Sequence, residues 1–140
     1  PQRQPTMHYL DEAVLLAVSI ICLVIYFRRN SKSTRSEKIK AISAYRRAQT
    51  NSLKLQDILS QYILVNECYH EEFKDGKTFG EFLSYLQANH ATRLPEANYL
   101  RLRNGNSRRF RKKMFVLIEN ENVKLRELRE HLTSIKHAVL

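Results

Sequence analysis

The chain has 140 residues, a formal net charge of +10 and a sequence pI near 9.9. Three glycines and three prolines are too few for a turn-rich β architecture, so the composition excludes that class and favours long helices. The length indicates one domain, and the charge predicts a partner with an anionic surface: lipid, nucleic acid or an acidic protein.

The first predicted element is an apolar run over residues 13–27, with the sequence AVLLAVSIICLVIYF. A helix that is apolar on every face is typical of a membrane span rather than of a protein surface. A cleaved signal peptide would carry its basic residues before the run, whereas here Arg28 and Arg29 follow it. The pattern therefore predicts one rather short transmembrane helix over residues 10–28.

Basic residues are distributed unevenly around this run, and the asymmetry predicts an orientation. Arg3 alone precedes the run and a basic cluster follows it, and such residues are retained on the cytoplasmic side of membranes. We expect residues 1–9 to be lumenal or exterior and the rest cytosolic, in the thin bilayer of the endoplasmic reticulum. The residues expected to contact lipid headgroups are Arg28, Arg29, Lys32 and Arg35.

After the run, the sequence predicts a basic linker that leads into a helix over residues 29–50 and a helical cytosolic domain over 51–140. The polar stretch 28–36 is expected to be irregular, with Ser36 capping the helix that follows. The predicted fold class is therefore all-α, with one N-terminal transmembrane helix followed by a small bundle of four to five helices.

Local signals divide this domain into its helices. The sequence Thr78-Phe79-Gly80-Glu81 matches a capping box and predicts a helix start, after a break at Asp75-Gly76. Pro95 is expected at the first position of the next helix, with Ala97, Leu100 and also Tyr99 on its buried side and its end at Asn104-Gly105-Asn106.

The last predicted helix begins near Ser107. Residues 114–118, MFVLI, are expected to belong to the core or to a short strand. Further on, apolar residues recur at three- and four-residue steps, which predicts the seam of a coiled coil or of a helix packed in a bundle. The seam residues expected to dock a partner are Leu125, Leu128, Leu132 and Ile135.

The sequence contains no recognisable catalytic, metal-binding or cofactor-binding pattern. Cys68 and His70 are two residues apart and point in different directions on a helix, which does not suit a nucleophile and its base. His70 with Glu67 or Glu71 lacks further metal ligands. We therefore expect no enzyme activity, no metal and no cofactor.

A second basic cluster over residues 101–113 contains no acid, so its charges repel one another unless an anionic partner is present. An acidic protein, lipid headgroups or RNA would satisfy it, and the cluster followed by MFVLI also resembles a calmodulin-target helix. The basic residues expected to dock a partner are Arg101, Arg103, Arg108, Arg109, Arg111, Lys112 and Lys113.

These features together predict a non-enzymatic, single-pass subunit or adaptor of a larger membrane protein complex. The expected partners are the lipid bilayer and a larger membrane protein. The alternative is a tether or lipid-handling accessory that binds anionic lipid at a membrane contact. Membrane-recruited RNA or ribosome binding is the third hypothesis, and nucleic acid is the least favoured partner.

Overall fold

A computed structural model describes the backbone of residues 6–138, and within this range the side chains of residues 6–11, 32, 33, 137 and 138 lie outside the description. The described part contains four helices and one β-hairpin. They are α1 (Thr6–Asn66), β1 (Glu72–Lys74), β2 (Lys77–Thr78), α2 (Phe79–Arg93), α3 (Glu96–Asn104) and α4 (Arg108–Ala138). The prediction of a mainly helical chain is confirmed.

The predicted transmembrane helix over residues 10–28 is not supported. Across the described residues, no helix combines the length and the apolar character that a membrane crossing requires. The fifteen residues of the apolar run, 13–27, amount to about 22 Å of helix, against a hydrocarbon core of about 30 Å. They belong to a much longer helix, α1, and charged residues bound them on both sides. The predictions of single-pass topology, lumenal and cytosolic faces and an endoplasmic reticulum location are therefore wrong as well, and the lumenal segment 1–9 lies partly outside the described residues.

The stretch after the apolar run is also helical, which contradicts the prediction of an irregular linker at residues 28–36. α1 passes through these residues without a break, so Ser36 begins no helix. The Thr34 hydroxyl donates to the carbonyl of Asn30 at 2.9 Å. A polar side chain that bonds to the preceding turn in this way is compatible with a continuing helix.

The chain divides into two compact units, Pro1–Glu37 and Lys38–Leu140. We call the second unit the helical domain. In the first unit, the described apolar side chains of residues 13–27 are exposed. In the helical domain, by contrast, apolar side chains from α1, α2, α3, α4 and the hairpin form a core.

The core of the helical domain consists of two clusters. One joins the C-terminal part of α1 to the hairpin, α2 and the second half of α4: Leu55, Leu59, Ile63, Cys68, Phe73, Phe79, Phe82, Leu86, Leu125, Leu128 and Leu132. The other joins the middle of α1 to α3 and the first half of α4: Ala41, Tyr45, Ala48, Leu94, Leu102, Met114 and Ile118. α4 contributes to both, because its buried residues recur at three- and four-residue steps along one face.

The hairpin leads into α2 through the predicted capping box, which is confirmed. The Thr78 hydroxyl accepts from the Glu81 amide at 3.2 Å, and the Thr78 amide donates to the Glu81 carboxylate at 2.9 Å. Asp75 and Gly76 form the two-residue turn, and both have positive φ, at 54° and 74°. This is the backbone of a tight hairpin turn, for which Asp-Gly is a favoured sequence.

α3 ends at Asn104 as predicted, but its start and its buried face differ from the prediction. Pro95 is the N-cap and lies before the first helical residue, Glu96. Leu102 is the buried residue, whereas Ala97 and Leu100 are exposed. Tyr99 packs against the second core cluster and Leu102 lies inside it, so the face of this short helix that reaches the core runs through these two residues.

Polar contacts fix the connection between α2 and α3 against α1. The two guanidinium Nη atoms of Arg46 donate to the two carboxylate oxygens of Glu96, at 2.9 and 3.0 Å. The amide of Gln49 donates to the carbonyl of Leu94 at 2.9 Å, and the Tyr45 hydroxyl donates to the carbonyl of Pro95 at 2.9 Å. Burial raises the pKa of Tyr45 to about 12, so its hydroxyl stays protonated as the donor.

Candidate functional site

Cys68, the cysteine considered as a nucleophile, lies in the core. It is 2% exposed and belongs to the first core cluster. Burial, followed by the nearby charge of Glu71, raises the pKa of its thiol, which disfavours the reactive thiolate. His70 is exposed beside it and stacks edge-on against Tyr69. Within the described residues, no three His, Cys, Asp or Glu side chains come together as a metal site would require.

The four residues predicted to contact lipid headgroups follow the apolar run on α1. Arg28, Arg29 and Arg35 are exposed there, and the side chain of Lys32 lies outside the described residues. The reason for assigning them to headgroups was the adjoining membrane span. Without that span, the positions of these residues give no reason to prefer lipid over another anion.

The second basic cluster lies on α3 and on the start of α4, and one of its members is buried. Arg101 and Arg103 are exposed on α3, and Arg101 lies over the ring of Phe110, 4.2 Å from its centroid. This contact holds the end of α3 against the start of α4. Arg111 is only 4% exposed. The remaining members, Arg108, Arg109, Lys112 and Lys113, are exposed on the first turns of α4.

The apolar seam of α4 packs into the core of the same chain. Leu125, Leu128 and Leu132 are buried in the first core cluster, and Ile135 packs against it. The spacing thus identified a helix packed in a bundle. These side chains contact α1, α2 and the hairpin of the same chain, so a partner would have to contact a different face of α4.

The neighbouring face of α4 forms one wall of a groove that the sequence analysis missed. This groove, between α1 and α4, has a volume of about 710 Å³. Phe115 and Val123 of α4 line it while 39% and 40% exposed. The other apolar lining residues are Ala44, Leu55, Ile118 and Leu125, and the polar ones are Asn51, Glu119, Asn122, Arg126 and Arg129.

Both rims of the groove are basic. On α1, the exposed residues Lys40, Arg47 and Lys54 recur every seven residues, beside Ala44 and Asn51 and on the side away from the core. On α4, Arg126 and Arg129 line the groove. Of the described residues that line it, Glu119 is the single acid. The groove therefore combines an apolar floor with positively charged edges.

Comparison with protein-family models, with curated proteins and with solved structures finds no match for this chain. One signal in the sequence could have identified the groove. Phe115 and Val123 are apolar residues of α4 that do not belong to its seam, so packing against α1 through the seam leaves them exposed. The groove is consequently the strongest candidate for a functional site in the helical domain.

Proposed function

We propose that the chain is a non-enzymatic adaptor that binds an acidic amphipathic helix of a partner protein in the groove between α1 and α4. The single observation that carries this proposal is the apolar floor between two basic rims. A groove whose two walls are helices suits a third helix, which would insert apolar residues at i, i+3, i+4 and i+7. Phe115 and Val123 would then lose their exposure to water.

The charges of the groove specify the chemistry of the occupant. Arg126 and Arg129 on one wall, and Lys40, Arg47 and Lys54 beside the other, would attract acidic side chains on the flanks of the docked helix. Rim charges of this kind steer association and select among partners more than they add affinity. A helix with basic flanks would be repelled, so the proposal distinguishes between two occupants of equal hydrophobicity.

The same groove fits the two alternative partners less well. Single-stranded RNA is bound on platforms of several exposed aromatic rings, and among the groove's lining residues Phe115 is the single aromatic. An anionic lipid surface would need basic residues arranged on a convex face rather than along two edges of an apolar channel. Both partners serve as competing outcomes in the test.

The proposal can be tested by fluorescence anisotropy of the full chain with a labelled synthetic helix of about five turns. The probe carries Leu at the i, i+3, i+4 and i+7 positions and Glu elsewhere, and a second probe carries Lys in place of each Glu. We expect saturable binding of the Glu probe that weakens as salt is added, and no saturable binding of the Lys probe. Equal affinity for both probes, or affinity for neither, would overturn the proposal.

A matched pair of variants locates the site. Phe115→Asp combined with Val123→Asp places charge on the groove floor and is expected to weaken binding at least about tenfold, which is the loss of roughly 1.4 kcal/mol. Val65→Asp is the control, because Val65 is 81% exposed and does not line the groove. Tighter binding of anionic vesicles or of poly(U) RNA than of the Glu probe, unaffected by the groove substitutions, would favour the alternative partners instead.

A further inference from the structure

Two cationic side chains converge on Asn106, the second residue before α4. The Lys38 ammonium donates to the side-chain oxygen of Asn106 at 3.1 Å, and Nη1 of Arg111 donates to its backbone carbonyl at 3.1 Å. Both acceptors belong to one neutral residue. The positive charges of Lys38 and Arg111 therefore both lie beside Asn106, and neither is paired with a carboxylate of the described residues.

Arg111 is the unusual member of this arrangement. Arg111 is only 4% exposed, and its Nε is a buried donor without a hydrogen-bond partner in the described part of the chain. The two ion pairs within the described residues are Arg46–Glu96 and Lys124–Glu121, so neither supplies Arg111 with a carboxylate. Buried guanidinium groups are normally paired, because an unpaired buried charge opposes folding.

The backbone at this point adds further donors. The Ser107 hydroxyl accepts from the amide of Phe110 at 3.2 Å, and the Ser107 carbonyl accepts from the amide of Arg111 at 3.1 Å. The amides of Arg108 and Arg109 precede the first carbonyl of the helix that could accept from them. They lie at the positive end of the dipole of a 31-residue helix, where anions are bound in many proteins.

We infer that the start of α4 is a binding site for a phosphoryl group. A tetrahedral oxyanion would accept from the guanidinium of Arg111, the ammonium of Lys38 and the free amides of Arg108 and Arg109. A carboxylate has only two oxygens in one plane and would leave part of this donor set unused. The site lies at the beginning of α4 and is separate from the groove proposed for the partner helix.

The test is a titration of the ¹⁵N-labelled full chain with inorganic pyrophosphate at constant ionic strength, followed by NMR and by the thermal midpoint. We expect saturable shifts of the Arg108 and Arg109 amides and of the Arg111 side-chain Nε–H, with a rise in the midpoint. Sodium chloride of equal ionic strength should produce neither effect. Shifts no larger than those with chloride would overturn the inference.

Variants separate a site from general attraction to a basic protein. Lys38→Gln and Arg111→Gln each remove a side-chain donor of the site and are expected to weaken pyrophosphate binding at least about fivefold, whereas Lys136→Gln, near the other end of α4, should leave it unchanged. Equal losses in all three variants would contradict a local site. The Phe115→Asp, Val123→Asp variant should retain binding, so this inference and the proposed function can fail independently.

The phosphoryl group could be carried by a soluble compound or by a lipid headgroup, and vesicle flotation distinguishes the two. Vesicles containing phosphatidic acid present a phosphate monoester, and vesicles containing phosphatidylserine do not. Flotation with phosphatidic acid alone, lost in Lys38→Gln, would identify a headgroup as the source. Pyrophosphate shifts without such flotation would identify a soluble phosphate. Absence of both would overturn the inference.

Discussion

At the scale of single residues, Gly80 lies directly against Tyr69. The Gly80 amide donates to the Tyr69 carbonyl at 3.0 Å, and a Cβ at position 80 would overlap the Tyr69 ring. Glycine at the second position of a helix is not a favoured choice by propensity. The ring above it supplies the physical reason, and that reason is visible only in the tertiary structure.

Gly80→Ala is therefore expected to destabilise the chain by about 1 kcal/mol, the low end of the overpacking range, because the half-exposed Tyr69 ring must move aside. Chemical denaturation measures the loss. Adding Tyr69→Ala should recover part of it, because removing the ring makes room for the new methyl group, and the double-mutant cycle gives the coupling. Additive effects of the two substitutions would show that the overlap with Tyr69 is not the cause.

His90 provides a residue-scale prediction about pH. Its Nδ1 lies 3.0 Å from the Ser52 hydroxyl, and burial lowers its pKa from the usual 6.5. The His90 imidazole therefore takes up a proton near pH 6.5 in the unfolded chain, whereas in the folded chain it remains neutral at that pH. Stability from this residue is present above pH 6.5 and is lost as the pH falls toward the lower folded-state pKa.

Thermal midpoints measured between pH 7.5 and 5 should accordingly fall, and His90→Gln should flatten the profile because it removes the titrating group. A parallel decline in the variant would assign the dependence to other residues. The Arg46 hydrogen bond lowers the pKa of Glu96 from 4.5, so its own contribution is lost only at lower pH, below 4.5. The two effects thus occupy different ranges.

At the scale of elements, the start of α2 depends on its capping box. Thr78→Ala removes the hydroxyl that accepts from the Glu81 amide, and we expect a loss of about 1 kcal/mol in the free energy of unfolding. Thr133→Ala is the matched control, since the Thr133 hydroxyl bonds only to the carbonyl of Arg129 within α4. Urea denaturation of both variants checks the prediction, and similar losses would contradict it.

Helix ends were more predictable from the sequence than helix faces. The capping residues at 78–81 and the Asn104-Gly105-Asn106 turn act locally, so the sequence alone located them. The buried face of α3 depends on how far a short helix reaches toward α1, and the prediction chose Leu100 where Leu102 is buried. The groove was missed for the same reason, because the exposure of Phe115 follows from the packing of α4 on α1.

The polar stretch over residues 28–36 shows the opposite error. Its serines, threonine and asparagine are poor helix formers by propensity, so the sequence indicated an irregular linker. In the structure, flanking helical residues on both sides continue through it, and Thr34 bonds to the preceding turn. Average propensity over a short window was therefore a weaker signal than the long helix around it.

At the scale of the whole molecule, the buried apolar residues of the described part of the chain lie between Ala41 and Leu132. Both core clusters are therefore contained in the unit Lys38–Leu140. We expect a fragment of residues 38–140 to fold and to unfold cooperatively. A fragment of residues 51–140, which begins where the sequence placed the domain, lacks Ala41, Tyr45 and Ala48 and the anchoring side chains of Arg46 and Gln49.

Circular dichroism during thermal unfolding compares the two fragments. The longer one should show a single sigmoidal transition, and the shorter one should lose cooperativity because α3 and the start of α4 lose the α1 residues of the second core cluster. A cooperative transition of equal midpoint in the shorter fragment would show that the second core cluster is dispensable. Loss of the transition in the longer fragment would show that residues before Lys38 are needed for folding.

Composition described the molecule only in its broadest properties. It indicated a helical chain with an anionic partner, and the helical part of that prediction holds. The apolar run dominated the interpretation of the N-terminal part, although its fifteen residues were already short for a membrane span. Charge alone could not locate a binding surface, since that required knowing which basic residues flank an apolar channel.

The binding of an acidic helix between α1 and α4 is tested most directly by mapping it on the full chain. The ¹⁵N-labelled protein is titrated with the Glu-bearing synthetic helix, and the amide shifts are followed by NMR. The largest saturable shifts should fall on residues 115–126 of α4 and 44–55 of α1, and should be absent in the Phe115→Asp, Val123→Asp variant. Shifts confined to other surfaces, or equally large in that variant, would contradict the proposed groove.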